Sequence, residues 1–238
     1  GQDRSGMTIA TLDYPKAKLT MEVPEAVGSW RLGACAKEPW TLDFIESIPA
    51  GGVFWDIGAN VGSYTLIAAA RPELEVVAIE PAYENYRALC KNLSLNNLLG
   101  RVIAFCNPVT PVDGFIWLHY ADMRSGAAQH VVGDQRKEGF HQQQMLGLSL
   151  DTLVAWVSLA GPRFLKIDVD GGEVGVLQGA GDTLANPLTQ GIMIEMQRPF
   201  EPQITTLLES HNWRLAGRYS QRNGQELPHV VYGEYRRS

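Results

Sequence analysis

Hydrophobic residues in this chain of 238 residues form short continuous runs, which alternate with longer segments of helical spacing. Short apolar runs bounded by turn residues predict β-strands, and they lie at Val53–Ile57, Glu75–Ile79, 101–106, 164–169, 191–196, Trp213–Tyr219 and 229–235. Helices are predicted at 63–71, at 83–97, from the Gly171-Gly172 turn to about Leu184, and at 203–211. Continuous apolar strands separated by helices are typical of an α/β protein with a mostly parallel sheet and helices on both faces. The last two strands have no helix between them, which predicts an antiparallel hairpin at one edge.

Two segments lie outside this alternation. Residues 8–13 and 19–23 alternate weakly between apolar and polar, which predicts a small hairpin in an N-terminal extension over 1–49, ahead of a main domain over 50–238. Residues 122–144 are polar and unpatterned, and a long loop of this kind in a compact domain is commonly functional. The loop holds His130 and His141. Either is a candidate base near neutral pH, although a solvated loop histidine is the commoner case.

Composition and charge narrow the class of protein. Hydrophobic residues make up 45% of the chain and charged residues 19%, as in an ordinary globular protein. Lys and Arg number 20 against 26 Asp and Glu, so the net charge is −6, which weighs against a nucleic-acid partner. The three cysteines are widely spaced, which argues against a disulfide framework and a cysteine-ligated metal. The chain shows no apolar run of membrane length and no basic-then-apolar leader, so we expect a cytoplasmic protein without a membrane span.

The sharpest motif is a glycine-containing turn that follows the strand Val53–Ile57. The turn reads Gly-Ala-Asn-Val-Gly from Gly58 to Gly62 and leads into a predicted helix. A turn at this place marks the ligand crevice of an α/β sheet, and the start of the helix presents free N–H groups. Glu80 ends the next predicted strand, where a carboxylate can accept both hydroxyls of a ribose. The glycine turn and Glu80 together predict a nucleoside-containing ligand. The alternative is that the glycines only form a tight turn and bind no ligand.

The same residues discriminate among nucleoside ligands. The turn lacks the second glycine of GxGxxG, and the chain lacks GxxxxGK[ST], which disfavours a nicotinamide oxidoreductase and a P-loop protein. Asp56, just before the turn, would repel a pyrophosphate. Its carboxylate suits a ligand with a cationic amino-acid end, and S-adenosylmethionine combines such an end with a ribose and no phosphate. We therefore predict S-adenosylmethionine as the cofactor.

These motifs, taken in order, resemble the FkbM family of S-adenosylmethionine-dependent methyltransferases. The segments that carry the resemblance are FWDIGANVGSYT at 54–65, AIEP at 78–81, NLSLN at 92–96, FLKIDVDGGE at 164–173 and VLQGA at 176–180. The resemblance implies a class I methyltransferase fold, which is a Rossmann-like, mostly parallel seven-stranded sheet with an antiparallel C-terminal hairpin. It also implies transfer of a methyl group to a hydroxyl of a small molecule or glycan.

The resemblance also assigns cofactor contacts by position. The residues that it places at the cofactor are Asp56, Gly58, Ala59, Asn60, Gly62, Tyr64, Glu80, Asn107 and Asp168. Two positions depart from the family pattern. Asn107-Pro108 stands where the family usually has an acidic residue near the adenine, and Asp170 stands where a glutamate is common.

Three carboxylates after the fourth parallel strand are candidate catalytic residues: Asp168, Asp170 and Glu173. Methyl transfer is an in-line displacement, so positioning supplies much of the acceleration, and a general base helps when the acceptor is a hydroxyl. Binding of a divalent metal by the three carboxylates is an alternative, although we predict no metal. A structural alternative is that Glu173 caps its helix while Lys166 pairs with Asp168. A non-catalytic scaffold with a methyltransferase-like fold is the alternative to an enzyme.

Overall fold

The computed structural model describes residues 6–24, 28–120, 131–133, 135, 138, 141–159, 161, 163–222 and 224–237. Its strands are β1 (Met7–Thr11), β2 (Thr20–Pro24), β3 (Val53–Ile57), β4 (Glu75–Ile79), β5 (Val102–Phe105), β6 (Gly114–Tyr120), β7 (Val131–Gly133), β8 (His141–Gly147), β9 (Arg163–Ile167), β10 (Thr189–Gln197), β11 (Trp213–Tyr219), β12 (Gln221–Arg222), β13 (Gln225–Glu226) and β14 (Val230–Arg237). Its α-helices are α1 (Gly28–Leu32), α2 (Ala34–Lys37), α3 (Pro39–Glu46), α4 (Ser63–Ala69), α5 (Tyr83–Leu95), α6 (Leu150–Val157), α7 (Glu173–Gln178), α8 (Gly181–Ala185) and α9 (Glu201–Ser210). Single 3₁₀ turns lie at Leu99–Arg101 and Arg198–Phe200.

The central sheet has seven strands in the order β11-β14-β10-β9-β3-β4-β5. The strands from β10 to β5 are parallel, and β14 is antiparallel to both β10 and β11. This order confirms the predicted α/β fold with a mostly parallel sheet and an antiparallel C-terminal hairpin. Because Ile57 pairs with both Ile79 and Ile167, the residues that follow β3, β4 and β9 meet at one edge of the sheet.

Alternate residues of β3 enter cores on opposite faces of the sheet. Phe54 belongs to the core that contains Leu66 of α4 and Leu89 of α5. Trp55 belongs to the core that contains Leu177 of α7 and Leu208 of α9. Each such fully buried side chain stabilises the fold by ~1.5–3 kcal/mol. Helices therefore cover both faces, as the continuous apolar strands predict.

The segment before β3 is joined to α5 by two asparagines. β1 and β2 pair antiparallel at the position of the predicted hairpin. The amide oxygen of Asn92 accepts the backbone N–H of Glu22 at 2.7 Å, and its amide nitrogen donates to the carbonyl of Val61 at 2.9 Å. Asn96 makes the same pair of bonds with the backbone of Thr20, at 2.8 and 2.7 Å. The helix α5 thus holds the hairpin and the glycine turn in a fixed relation.

Residues ahead of β3 also share the core of the main sheet. Met21 and Phe44 are buried in the same cluster as the side chains of α4 and α5. The side chain of Trp40 stacks on Tyr219 with 5.3 Å between ring centroids. The N-terminal segment therefore packs against residues from both the first and the last part of the predicted main domain. The domain boundary at residue 50 stays a prediction.

A second sheet of three antiparallel strands has the order β7-β6-β8. The prediction of an unpatterned loop over 122–144 was wrong for β7 and the first part of β8, and the sequence patterns did not indicate β6. The strand β8 is polar and mostly exposed, so it lacks an apolar run, and its pairing with β6 rests on backbone hydrogen bonds. His141 is exposed at the start of β8, and His130 lies outside the described residues.

Two further observations concern membrane-spanning helices and the cysteines. None of the helices in the described ranges is long and apolar enough to cross a bilayer. Cys35, Cys90 and Cys106 are all free thiols.

Candidate active site

A cavity of about 650 Å³ opens where β3, β4, β9 and β10 end. Because the carboxyl ends of parallel strands carry the ligand crevice of α/β sheets, this is the expected place for a site. The predicted site residues that line the cavity are Gly58, Ala59, Asn60, Tyr64, Glu80, Asp168 and Asp170. Four others, Asp56, Gly62, Asn107 and Glu173, are not among the lining residues.

The glycine turn is shaped by close contacts with its neighbours. Gly58 and Gly62 have φ angles of +83° and +94°, in the left-handed region that favours glycine. A Cβ atom added to Gly58 would lie 1.8 Å from the backbone oxygen of Asp168, and one added to Gly62 would lie 2.5 Å from the side chain of Leu89. The sequence suggested that these glycines admit a ligand. The structure shows that they also make room for the backbone of Asp168 after β9 and for the helix α5, and their contact with a ligand stays a prediction.

Glu80 lies beside the turn at the end of β4. One carboxylate oxygen accepts the backbone N–H of Asn60 at 2.8 Å, and the other accepts that of Ala82 at 2.9 Å. The side chain is almost wholly buried, and this burial raises the pKa of Glu80 to about 7 although the backbone donors oppose the rise. Glu80 is therefore a fixed acceptor that faces the cavity.

Asp56 is completely buried below the cavity. Its carboxylate accepts the hydroxyl of Thr65 at 2.6 Å and the ammonium of Lys166 at 3.0 Å. The parallel register of β3 and β9 pairs Asp56 with Lys166 directly. The structure therefore brings Asp56 to a lysine rather than to the cavity surface, and its direct contact with a cofactor stays a prediction.

Lys166 connects the buried Asp56 to the cavity. Its ammonium lies 3.6 Å from a carboxylate oxygen of Asp168 and 5.2 Å from the ring centre of Tyr64. Burial alone would lower the pKa of Lys166, but the charges of Asp56 and Asp168 raise it above its ordinary value. Lys166 is thus a charged group that holds Asp168 in place, as the structural alternative in the sequence suggested.

The second acidic block separates into two positions. Asp168 and Asp170 line the cavity, and Asp170 has a left-handed φ of 56°. Glu173 turns back to accept the backbone N–H groups of Gly171 and Val169 at 2.9 and 3.4 Å. Glu173 thus holds the loop before its own helix. Among the described residues, no three Asp, Glu, His or Cys side chains are arranged to hold a metal ion.

Asn107 and its neighbours form the wall after β5. The amide of Asn107 donates to the carbonyl of Leu146 at 2.9 Å, which joins this wall to the small sheet. Pro108 and Val109 line the cavity in its place. An adenine contact by Asn107 itself stays a prediction, and the next two residues offer the apolar surface there.

Sequence reasoning missed two acidic residues at this site, the fully buried Glu38 and the half-buried Glu195. Glu195 of β10 lines the cavity, and the hydroxyl of Tyr232 donates to it and lies 3.2 Å from a carboxylate oxygen of Glu38. Burial and then the charge of Asp168 raise the pKa of Glu195 to about 8. Since one hydroxyl hydrogen cannot serve two carboxylates, a protonated Glu195 resolves the arrangement. An acidic residue inside the otherwise apolar run at 191–196 was the available signal.

The N-terminal segment supplies a second wall that the sequence did not indicate. Trp30, Arg31 and Ala34 line the cavity together with Lys37. These residues lie on α1 and α2, far in sequence from the glycine turn. No motif marks them, because the contact depends on how the segment packs on α4 and β14.

The strand order and the site at the ends of β3, β4 and β9 define a Rossmann-like class I methyltransferase fold. Among solved structures, the protein is similar to one described as P. horikoshii TYW2 in complex with MeSAdo, with a TM-score of 0.55, 11% identity and coverage of 99% of this chain and 72% of that one. It is also similar to Streptococcus pneumoniae Sp1610, described as a putative tRNA (m1A22) methyltransferase, with a TM-score of 0.51, 10% identity and coverage of 82% and 68%. These similarities show the shared fold.

The sequence profile of the Methyltransferase FkbM domain matches residues 56–215, and the chain belongs to this family of methyltransferases. Methyltransferase sdnD of Sordaria araneosa is 27% identical over 194 residues, which cover 69% of this chain and 74% of the relative. Hexuronic acid methyltransferase AglP of Haloferax volcanii is 25% identical over 211 residues, covering 88% and 82%. The resemblance found in the sequence motifs is thereby confirmed.

Proposed function

We propose that this protein uses S-adenosylmethionine to methylate a hydroxyl group of a small molecule or glycan. The observation that carries the proposal is the position of Glu80 beside Asn60, in the cavity that Asp168 also lines. Glu80, held by the backbone of Asn60, offers an acceptor for a ribose, and Asp168 offers a base for a reacting hydroxyl.

The residues at the turn fit the proposed cofactor by their chemistry. Each oxygen of Glu80 accepts a backbone N–H, and a carboxylate oxygen has a further lone pair for a ribose hydroxyl. The one lysine at this end of the described cavity lining, Lys166, is already paired with Asp56 and Asp168. This balance suits a ligand with a cationic amino-acid end better than a pyrophosphate. When bound, S-adenosylmethionine supplies a methyl group on a positively charged sulfur.

Asp168 is the residue that we assign to the acceptor. A carboxylate held against the sulfonium would stabilise the ground state more than the transition state. A carboxylate that receives the proton of the acceptor hydroxyl lowers the barrier instead. Lys166 keeps Asp168 oriented, and the partial exposure of the Asp168 side chain, 26%, leaves it open to a substrate in the cavity.

The relatives support an acceptor outside nucleic acids. AglP is named a hexuronic acid methyltransferase, which supports a sugar as acceptor here. The net charge of −6 would oppose an extended contact with a phosphate backbone. We propose further that the acceptor is a small molecule or glycan and that the protein acts in the cytoplasm.

Calorimetry with S-adenosylmethionine, S-adenosylhomocysteine and NAD tests the cofactor. We expect both adenosyl ligands to bind and NAD not to bind. Glu80→Ala should weaken adenosyl binding about 10- to 100-fold, because it removes hydrogen bonds to a charged group. The matched control is Glu75→Ala, since Glu75 is exposed at the opposite end of the same strand. Binding of NAD without either adenosyl ligand would contradict the proposal.

A further inference from the structure

Two neighbouring strands bring a second carboxyl group to the cavity beside Asp168. Glu195 of β10 lines the cavity, as does Asp168, which directly follows β9. Ile194 pairs with Ile167 in the parallel register of these strands, so the residues that follow them, Glu195 and Asp168, are also neighbours. The backbones of adjacent strands lie about 4.8 Å apart. One bound molecule can therefore contact both carboxyl groups.

The groups around Glu195 favour its neutral form. Tyr232, opposite it on β14, forms a hydrogen bond with one of its carboxyl oxygens and lies 3.2 Å from an oxygen of Glu38. Burial alone would raise the pKa of Glu38, but Lys37, whose ammonium lies 2.7 Å away, lowers it, so Glu38 is ionised. The charged and titratable groups that act on Glu195 are Asp168, Tyr232, Glu38 and Lys37. Burial and then the charge of Asp168 raise the pKa of Glu195 to about 8.

A neutral Glu195 completes a chain of hydrogen bonds. In this form its acid O–H donates to the oxygen of Tyr232, and the hydroxyl of Tyr232 can donate to the ionised Glu38. The carbonyl oxygen of Glu195 remains as an acceptor, since Tyr232 is the one hydrogen-bond partner of this side chain in the part of the protein that the structure describes. Asp168 differs, because the ammonium of Lys166 lies 3.6 Å from its carboxylate. The two carboxyl groups thus divide into a base and a neutral hydrogen-bond acceptor.

Gln197 extends this surface along β10. Glu195 and Gln197 are two positions apart on the strand, so they project from the same face, and both line the cavity. A Cβ atom added to Gly171 would lie 2.7 Å from the amide nitrogen of Gln197, so the amide lies against the loop that follows Asp168. An amide both donates and accepts hydrogen bonds. The surface therefore offers hydrogen bonds without adding charge, which suits an acceptor with several neighbouring hydroxyl groups.

The wall formed by α1 and α2 borders this surface. Lys37, which pairs with Glu38, lines the same cavity, and its ammonium lies 6.0 Å from the centre of the Trp30 ring. Trp30 also lines the cavity. The acceptor side of the cavity thus combines a polar surface from β10 with residues of two short helices.

We propose that Glu195 selects an acceptor in which the reacting hydroxyl has a second hydroxyl on the neighbouring carbon. The second hydroxyl donates to the carbonyl oxygen of Glu195, and Gln197 binds a further oxygen of the same molecule. The reacting oxygen forms its bond to the methyl carbon as the carbon–sulfur bond breaks, and the electron pair of that bond stays on sulfur. The proton of the reacting hydroxyl passes to Asp168. The inference rests on the proposed function, because it names the class of acceptor for that same site.

The first test compares acceptors with and without the neighbouring hydroxyl. Release of S-adenosylhomocysteine is measured with glucose, galactose, glucuronic acid and catechol, and NMR identifies the methylated oxygen of the best acceptor. The analogue that lacks the neighbouring hydroxyl, a deoxy sugar or phenol, should have a kcat/KM at least about 10-fold lower. For a sugar, the matched control is the deoxy analogue changed at a distant carbon, which should stay within about 3-fold.

Two substitutions assign the preference to Glu195. Glu195→Ala should reduce the preference for the diol over its deoxy analogue about 10-fold, mainly by raising KM for the diol. Glu195→Gln should keep most of that preference, because the carboxamide has a carbonyl oxygen for the acceptor and an N–H for Tyr232. Glu209→Ala, at an exposed position of α9, is the control and should leave the preference unchanged. Thermal denaturation of each variant separates a loss of contact from a loss of fold.

The outcomes separate the subsite from the cofactor. Equal kcat/KM for the diol and its deoxy analogue in the wild-type protein would overturn the inference, and so would the absence of transfer to all four diols. A loss of preference in Glu195→Gln as complete as in Glu195→Ala would overturn the neutral role of Glu195. If S-adenosylmethionine still binds in calorimetry, the cofactor part of the proposed function survives these results. Absence of adenosyl binding defeats the proposed function itself.

Discussion

The two sides of the cavity are built in different ways. The side proposed for the cofactor consists of residues that directly follow β3 and β4, and backbone N–H groups hold its key carboxylate, Glu80. The side proposed for the acceptor takes side chains from α1, α2, β9 and β10, and Tyr232 and Arg222 support it from behind. The first side depends on local chain geometry, and the second depends on packing between distant segments.

This difference separates what the fold constrains from what it leaves free. A turn held at left-handed φ angles, with no room for a Cβ atom on Gly58 beside the backbone of Asp168, tolerates little change. An exposed side chain on these short helices, such as Trp30, tolerates substitution, because it is not part of the core. We therefore expect changes on the cofactor side to affect folding and binding together, and changes on the acceptor side to affect specificity.

The largest expected effect belongs to Gly58→Ala. The new Cβ would meet the backbone oxygen of Asp168, and φ is unfavourable for alanine. We expect a loss of at least about 3 kcal/mol of unfolding free energy, measured by urea denaturation, together with lost adenosyl binding in calorimetry. Gly100→Ala is the control, since its Cβ would meet nothing within 4 Å. Equal stability of the two variants would show that the turn is not constrained as described.

The next effect belongs to Asp168→Asn. Asparagine keeps the shape and loses the base, so kcat should fall by about 100-fold or more, whereas the affinity for S-adenosylmethionine stays nearly unchanged. Initial rates with the preferred acceptor and calorimetry with the cofactor measure the two quantities. Full activity of the variant would remove Asp168 from the catalytic role. A parallel loss of cofactor affinity would instead place Asp168 among the residues that bind the cofactor.

The last prediction concerns Glu195 and pH. Its pKa is raised from 4.5 to about 8 in the folded protein, so its stabilising contribution is full below about pH 4.5 and is lost as the pH rises through 8. Glu195→Gln cannot titrate, and we expect the variant to lose less unfolding free energy than the wild-type protein between pH 5 and pH 9. Urea denaturation at the two pH values measures this. The exposed Glu209→Gln should follow the wild-type curve, and an identical curve for Glu195→Gln would contradict the buried acid.

The parts of the fold that sequence patterns predicted share one property. The strands of the main sheet are continuous apolar runs because they are buried on both faces, as the five buried residues of β3 illustrate. In the small sheet, β8 is polar and mostly exposed, so it carries no such run, whereas β6 holds an apolar run at 115–118 and has Ile116 and Leu118 buried. The apolar pattern therefore detects buried strands, and it misses a polar, exposed strand such as β8, which is held by its backbone pairing with β6.

The same reasoning applies to the site. Gly58, Asn60 and Glu80 could be found because strand ends and turns place them within one short stretch of chain and the next strand. Asp56 was expected at the cavity, but the register of β3 and β9 places it beside Lys166, which donates a hydrogen bond to its carboxylate. A sequence shows which residues end a strand, and it does not show which partner the neighbouring strand will bring to them.

By itself the sequence determined the fold class, the family and the presence of Gly58, Asn60 and Glu80 at the cavity, because these depend on hydrophobic period and on contiguous motifs. Only the tertiary structure decided that Tyr232 contacts both Glu195 and Glu38, and that Lys37 and Arg222 both lie near the ring of Trp30. Those contacts join residues far apart along the chain. Their geometry follows from how the N-terminal helices pack on the C-terminal hairpin, and no local pattern records it.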